Sequence, residues 1–307
     1  MHDLPESEHP GKPEQSSETD LFSRPDSEDL ISETLSPEGR PSKAVDAART
    51  AFPRGLHQPE QGYRFSMDAL LLATFAAPQG RAKAGRPRRG LDLGTGCGVV
   101  GLAFLLAQEA AGAGAGWQIM GLDRQEAMVA CARANAVRLG LEERFTTLLS
   151  DVSEAELNDN WYDAMLCNPP FRHGGQGRSC ATAGRNAARF EDEQGLEPFV
   201  RAARAALRDK APLHLVYLPE RLPGLLSQLR AARLEPKRMR MVHGHARARA
   251  RMVLVESRKN ARPGLDVEPP LLLYSGSGAQ SPLTREALAF CPFLQCNARS
   301  AEADEVR

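Results

Sequence analysis

The stretch "LDLGTGCGVVGL", residues 91 to 102, runs from an apolar strand pattern through closely spaced glycines into an apolar helical stripe. Glycine accepts positive φ without a side-chain clash, and a helix N-terminus presents free N–H groups, so such a turn lets the backbone approach a ligand. Gly96, Gly98 and Gly101 satisfy the G-x-G-x-x-G spacing of dinucleotide sites. The spacing alone leaves three readings open: a nicotinamide or flavin cofactor, S-adenosylmethionine (SAM), or a plain turn. Asp92, just ahead of the glycines, favours SAM, which has no pyrophosphate to cradle but carries an ammonium that a carboxylate helps hold.

Outward from this stretch the pattern alternates. Strands are expected at 90–93, 117–123, 144–150, 161–167 and 212–218, with helices through "VVGLAFLLAQEA", "QEAMVACARANAVRLG" and "EQGLEPFVRAARAALR" between them. Strand and helix in this rhythm mean βαβ units, a parallel sheet and right-handed crossovers. "PKRMRMVHG" and "ARMVLVES" read as two further strands forming an antiparallel edge. Ahead of the sheet, Ser66 reads as the N-cap of a helix "MDALLLATFA" that stops near Pro78, with Asp68 in its first turn.

Two carboxylates sit where such strands end. Asp123 closes the second strand; it either accepts the two hydroxyls of a ribose or caps the helix that begins near Gln125. Asp151 follows the third strand and either accepts from an adenine amino group or caps a turn.

The fourth strand ends in "LCNPPFRHGG", residues 166 to 175. Two adjacent prolines stop a strand and fix the backbone after it, since each lacks an N–H and has φ locked. Asn168 and Phe171 are then held in one geometry at a strand end, a place suited to a flat ligand with a polar edge. In open parallel sheets ligands gather at the carboxyl ends of strands, near the switch in strand order.

Asn168, Pro169, Pro170 and Phe171 resemble the Asn/Asp-Pro-Pro-Tyr/Phe motif of SAM-dependent methyltransferases that modify planar exocyclic amino groups. The resemblance covers roughly residues 58 to 292. "GYRFSMDALLLATF" is similar to the leading segment of the bacterial tRNA1(Val) adenine-37 N6-methyltransferase family. "LEPKRMRMVHGHARARARMVLVES" with "PGLDVEPPLLLY" resembles that family's C-terminal half. It implies a Rossmann-like α/β fold with helices on both faces of a mostly parallel, twisted sheet. By that likeness Phe65, Ser66 and Asp68 lie over the SAM site, and Asp92, Gly94, Gly96 and Gly98 form the cofactor loop, with Asp123, Asp151 and Asn168 completing it. Residues 168 to 171 hold the base, Phe171 by stacking. The implied substrate is a tRNA adenine next to the anticodon. Two departures bear on the base. Phe171 stands where tyrosine is commoner, and Asn-Pro-Pro-Phe also occurs in enzymes that methylate guanine N2 in ribosomal RNA. Phe190 stands where histidine is expected. A glutamine amide offers the same planar NH2, so a protein glutamine N5-methyltransferase is a further reading, and a non-catalytic RNA-binding protein on this fold is another.

Charge points to a polyanion. The formal net charge is +0, yet residues 1–40 carry eleven acidic against three basic residues, leaving +8 on the rest. Residues 229–259 hold ten Lys/Arg against two Glu, among them Lys237, Arg238, Arg240, Arg247 and Arg249. The stretch 172–189 adds Arg172, Arg178, Arg185 and Arg189 without an acid. These are the candidate RNA contacts. Residues 1–50, rich in Pro, Ser and Glu, read as a disordered acidic tail, 51–292 as the methyltransferase domain, and 293–307 as a flexible C-terminal tail. The six scattered cysteines support neither a disulfide framework nor a metal site. Neither a membrane span nor a signal peptide is legible, so a cytoplasmic protein is expected.

Overall fold

The computed structural model describes residues 42–60, 64–77, 87–112, 116–169, 172–173, 190–191, 195–276, 278 and 281–297, with 172–173 and 190–191 as backbone. Helices α1 (Lys43–Ala51) and α2 (Met67–Ala76) precede β1 (Arg88–Leu93), α3 (Val99–Ala110) and β2 (Trp117–Asp123). Then come α4 (Glu126–Arg138), β3 (Phe145–Leu149), β4 (Ala164–Cys167) and the two-residue strands β5 (Arg172–His173) and β6 (Phe190–Glu191), which pair with each other. The chain continues through α5 (Glu197–Ala206), β7 (Pro212–Tyr217), α6 (Leu222–Ala231), β8 (Leu234–His243), β9 (Ala250–Lys259), β10 (Asp266–Leu272) and α7 (Arg285–Phe290).

The main sheet has the order β10-β8-β9-β7-β4-β1-β2-β3. β9 runs antiparallel to both β7 and β8, and every other neighbouring pair is parallel. Strand order reverses between β1 and β4: from β1 the chain winds outward through β2 and β3, then returns to β4 and winds the other way. The period of two along each strand sends side chains to two faces. Leu166, Val216 and Leu254 join the core containing α2 and α3, whereas Met165, Cys167, Leu215 and Val255 join the core under α5 and α6.

α2 is apolar on all sides and wholly buried from Asp68 to Ala76, packed against α3 and β7. A helix without a polar face is a core element. β10 was not anticipated, because Pro269 and Pro270 argue against a strand. It forms at the sheet edge, parallel to β8, and its register slips between Glu268 and Leu271. An edge strand with a bulge tolerates residues that cannot donate to a ladder.

Packing extends past both expected domain boundaries. The boundary at residue 50/51 falls within α1, whose Val45 and Ala48 are buried. Arg49 donates from Nε to the Leu139 carbonyl (2.7 Å) and from Nη2 to the Gly140 carbonyl (3.2 Å), and its Nη1 meets Glu109 (3.1 Å). The domain therefore includes residues from Ser42, the N-cap of α1, onward. At the other end, Leu294 is buried and the Phe293 ring packs edge-on against Phe52 at 5.1 Å, so residues 293–297 belong to the packed chain. Residues 1–41 and 298–307 lie outside the described residues.

Replacing Arg49 with alanine is expected to lower the unfolding free energy by about 2 kcal/mol, the scale for charged hydrogen bonds to buried carbonyls. Urea titration of the two proteins checks this; equal midpoints would show that α1 is not part of the cooperative unit.

Candidate active site

The parallel registers bring four strand ends into line. Leu93 pairs with Leu122 and with Cys167, so Gly94 follows beside Asp123 on one side and Asn168 on the other. Asp123 pairs in turn with Leu149, which places Ser150 and Asp151 next along the same edge. Gly94 and Asn168 thus flank the point where strand order reverses, where open α/β sheets bind ligands. Asn168 is half-buried and Pro169 buried. Pro170 and Phe171 lie outside the described residues.

The glycine loop is held from beneath by Asp92. Its Oδ2 accepts from Thr95 Oγ1 at 2.7 Å and from the Gly101 N–H at 3.0 Å. Its Oδ1 is buried without a partner. Burial pushes its pKa up to about 6, the hydrogen bonds from Thr95 and Gly101 oppose that shift, and repulsion from Asp123 adds to it. Gly101 is fixed by packing, since a Cβ there would stand 2.6 Å from the Phe145 ring. Gly96 differs: it has φ of 57° and a Cβ would meet nothing within 4 Å. Backbone conformation demands the glycine, and open space lies over it.

Asp123 does not cap α4, whose N-cap is Gln125 with no side-chain bond; it fastens the turn that leads into the helix. Its Oδ1 accepts from the Gln125 N–H and its Oδ2 from the Gly96 N–H, each at 2.9 Å. The second bond ties the end of β2 to the glycine loop, and each oxygen keeps a lone pair for a hydroxyl donor. Burial raises its pKa against those two bonds. Asp151 caps a turn, accepting from Ser153 N (2.9 Å) and Oγ (2.6 Å), with Arg124 at 3.4 Å. The Ser153 bonds hold its pKa below the usual carboxylate value.

The segment before α2 is joined to this loop by a residue the sequence reading passed over. Asn135 on α4 is fully buried; its Oδ1 accepts from His57 N (2.6 Å), and its Nδ2 donates to the carbonyls of His57 and Cys97, each at 2.9 Å. An asparagine on the apolar stripe of "ACARANAVRLG" is the signal that was available. Further along this segment Phe65 packs on the core, and Ser66 donates its hydroxyl to Asp68 rather than accepting from a helix N–H. Phe199 on α5 was also missed: its ring edge lies 3.5 Å from where a Cβ on Gly94 would stand.

The basic candidates separate. Arg238 donates to Glu256 (3.1 Å), Glu268 (3.0 Å) and the Phe75 carbonyl (2.7 Å), and stacks on the Phe75 ring. Arg240 donates to the Pro269 carbonyl, pairs with Glu286 and lies over Phe290. These guanidinium groups are committed to the fold. Lys237 bonds the Arg262 carbonyl at 3.2 Å, while Arg247 and Arg249 are exposed. Arg172 is described as backbone only, and Arg178, Arg185 and Arg189 lie outside the described residues. Among the described residues, no group of three or more His, Cys, Asp or Glu is placed to hold a metal, and no helix is long and apolar enough to cross a membrane.

The partnerless Asp92 oxygen and the open backbone at Gly96 fit the SAM expected from the motifs, the first as a spare acceptor beneath the loop and the second as room for a bulky ligand. An acid whose folded pKa exceeds its unfolded value is penalised once ionised in both states. Stability of the ligand-free protein therefore falls as pH rises from about 4 to about 6 and stays lowered above that. A cation beside Asp92 favours the ionised form, so SAM affinity should weaken below about pH 6. Asp92→Asn should leave the ligand-free melting temperature at pH 7.5 equal or higher, weaken SAM by about tenfold or more, and remove the pH dependence. Calorimetry across that pH range decides, and wild-type SAM affinity in the variant would refute the assignment. Asn135→Ala should destabilise by about 1–3 kcal/mol by stranding the buried Cys97 carbonyl, and speed amide exchange at His57 selectively. Unchanged exchange there would show that Asn135 does not hold the segment.

The methyltransferase small domain family matches residues 68–217. A tRNA1(Val) (adenine(37)-N6)-methyltransferase of Porphyromonas gingivalis is 27% identical over 227 residues, spanning 71% of this chain and 84% of the relative. A release factor glutamine methyltransferase of Shewanella oneidensis is 42% identical over 81 residues, 26% of each chain. Among solved structures, an Agrobacterium tumefaciens protein described as a predicted O-methyltransferase superposes with a TM-score of 0.56 at 21% identity, covering 74% of this chain and 96% of its own, which fixes the fold. With the glycine loop, its two carboxylates and the strand order in place, and with residues 68–217 matching the methyltransferase small domain, the chain is a SAM-dependent methyltransferase.

Proposed function

We propose that the chain methylates the exocyclic N6 of an adenine in tRNA, next to the anticodon. The observation that carries this reading is Asn168-Pro169 at the end of β4, level with Gly94 at the reversal of strand order. The Porphyromonas gingivalis relative, aligned over 84% of its length, supports the base and the RNA class.

SAM, when bound, supplies a methyl group already activated on a sulfonium. The chain's own task is then to bind, orient and sharpen the acceptor nitrogen. An adenine N6 lone pair is delocalised into the ring and is a poor nucleophile while the amino group stays planar. The Asn168 side-chain oxygen and the Pro169 carbonyl act as the two acceptors for the amino hydrogens and favour a more tetrahedral nitrogen. As positive charge builds on that nitrogen these hydrogen bonds strengthen, which is how a group lowers the barrier rather than merely binding substrate. The new N–C bond would form as the donor's S–CH3 bond breaks to leave a neutral thioether, and the surplus amino proton would pass to water. Phe171 stacks on the base, which requires a nucleotide out of its helical stack. Asp92 and Asp123 serve the ammonium and the ribose hydroxyls of the cofactor, and Asp151 the rim of its adenine.

A second reading is glutamine N5 methylation, favoured by the 42% identity to a release factor glutamine methyltransferase over 81 residues. A glutamine amide presents the same two hydrogens to Asn168 and Pro169, so the mechanism survives a change of substrate. The two are separated by supplying labelled SAM with tRNA, ribosomal RNA and a release factor in separate reactions, followed by nucleoside mass spectrometry. N6-methyladenine from tRNA is the expected product; N2-methylguanine, label only in ribosomal RNA, or label in the protein refutes the adenine assignment. In the productive reaction Asn168→Ala should lower single-turnover methyl transfer by about 10² or more, the scale for one positioned transition-state hydrogen bond, with SAM affinity nearly unchanged. Near-normal turnover would remove Asn168 from the mechanism.

A further inference from the structure

The hairpin joining β8 to β9 stands at the same edge of the sheet as Asn168. β8 runs parallel to β7, β4 and β1 across the intervening antiparallel β9, so the turn after His243 lies at their carboxyl ends. The ladders set Val216, Leu254 and Arg240 level with the residue after Cys167. Three further residues of β8 carry the hairpin roughly 10 Å beyond that level, and β9 and β8 lie two and three strands from β4, roughly 10 and 14 Å. The hairpin is therefore a wall beside the site, within reach of a few nucleotides of one strand.

Its backbone is fixed. His243 Nδ1 and the Ala248 carbonyl are 2.8 Å apart, Ala248 N donates to the His245 carbonyl (3.0 Å), and Tyr274 N donates to the Gly244 carbonyl (2.9 Å). The His245 and Tyr274 rings meet at 5.6 Å, and the Arg251 stem lies across Gly244, its Cδ 3.4 Å from where a Cβ there would stand. On this frame Arg247, Arg249 and Arg251 are all exposed, and none has an ion pair among the described residues. No acid occurs between Met241 and Val255. Elsewhere in the same basic run Arg238 and Arg258 share Glu256 as an ion-pair partner and Arg240 pairs with Glu286. Three like charges within five residues repel one another, a cost that disappears when a polyanion runs along them.

We propose that Arg247, Arg249 and Arg251 form a docking rail for the sugar-phosphate backbone of the single-stranded RNA segment whose base enters beside Asn168. This rests on the reading of the chain as an RNA methyltransferase. The rail contacts phosphates and positions the strand, while the base is read at the strand ends. Arg251 thereby joins the RNA contacts, and Arg238 and Arg240 leave them.

The test uses the full chain with all three arginines changed to alanine, and a tRNA transcript carrying adenine 3′ to its anticodon as the probe. The logarithm of the RNA association constant is measured against the logarithm of salt concentration from about 50 to 200 mM. Loss of three phosphate contacts to a single strand should reduce the slope by about 2. KM for the transcript should rise about tenfold or more, while kcat at saturating RNA, SAM affinity and melting temperature stay at wild-type values. A charge-matched control, Lys210→Ala with Arg230→Ala and Arg233→Ala, removes three exposed cations from the opposite edge and should keep the wild-type slope. An unchanged slope in the hairpin variant, or an equal loss in the control, overturns the rail while leaving the enzymatic reading intact. Failure of the wild-type chain to bind the transcript at all refutes the RNA reading itself, and the rail with it.

Discussion

A single carboxylate oxygen, Oδ2 of Asp92, holds the architecture of the site together. It grips Thr95 in the middle of the glycine loop and Gly101 in the first turn of α3, so the strand, the loop and the helix keep one relative placement. Asp123 takes hold of the same loop from the neighbouring strand through Gly96. Two carboxylates beneath one loop are unfavourable: both are buried, both have raised pKa values, and repulsion contributes to that of Asp92. A fold selected only for stability would place a neutral acceptor at Asp92. Its Oδ1 is buried without a partner, and a cation placed there would remove much of the desolvation penalty that ionisation otherwise carries.

The parts of the fold legible in the sequence are those where local and tertiary demands agree. β2 and α3 occupy the expected residues, since an apolar strand buried on both faces and an alanine- and leucine-rich helix are stable in the same form locally and in the sheet. β8 and β9 pair antiparallel, as expected. The omissions follow a different logic. α1 was hidden because a short helix with few apolar residues resembles the polar segment before it; its place in the domain depends on Arg49 reaching carbonyls that are 90 residues away in sequence. β10 was hidden by two prolines that only an edge position allows, and α6 by Pro223 and Gly224, which sit in its first turn where proline costs no hydrogen bond.

The site divides in a similar way. Asp92, the glycines and Asn168 were legible because each residue type is demanded at a fixed distance from a strand end. Asn135 was not, since its partners, His57 and Cys97, come from separate parts of the chain. Arg238 was misleading for the same reason. Within its own segment it is one cation among several; across the sheet it faces Glu256 on β9 and pairs with Glu268 on β10. Composition counts charges, and only topology reveals which of them already have partners.

The two ends of the sheet consequently differ in kind. At the amino end polar groups are paired with one another. His214, Glu256, Arg238 and Asp266 stand in register across β7, β9, β8 and β10, and Lys259, almost fully buried, donates to Asn160 and to the carbonyls of Ala205 and Leu207. Burial lowers His214 to about 4 against the attraction of Glu256, so it contributes a neutral ring. Among the cations that line the cleft at this end, Arg208 is held by Asp163, and Arg238 and Arg258 by Glu256. At the carboxyl end the Asp92 oxygen has no partner, the backbone at Gly96 is open, and the hairpin arginines face outward. Removing one member of a buried pair leaves the other uncompensated, so the paired groups resist change. The unpaired end carries the unfavourable electrostatics of the empty protein, and those are the terms that a sulfonium cofactor with an ammonium and a phosphate backbone would relieve.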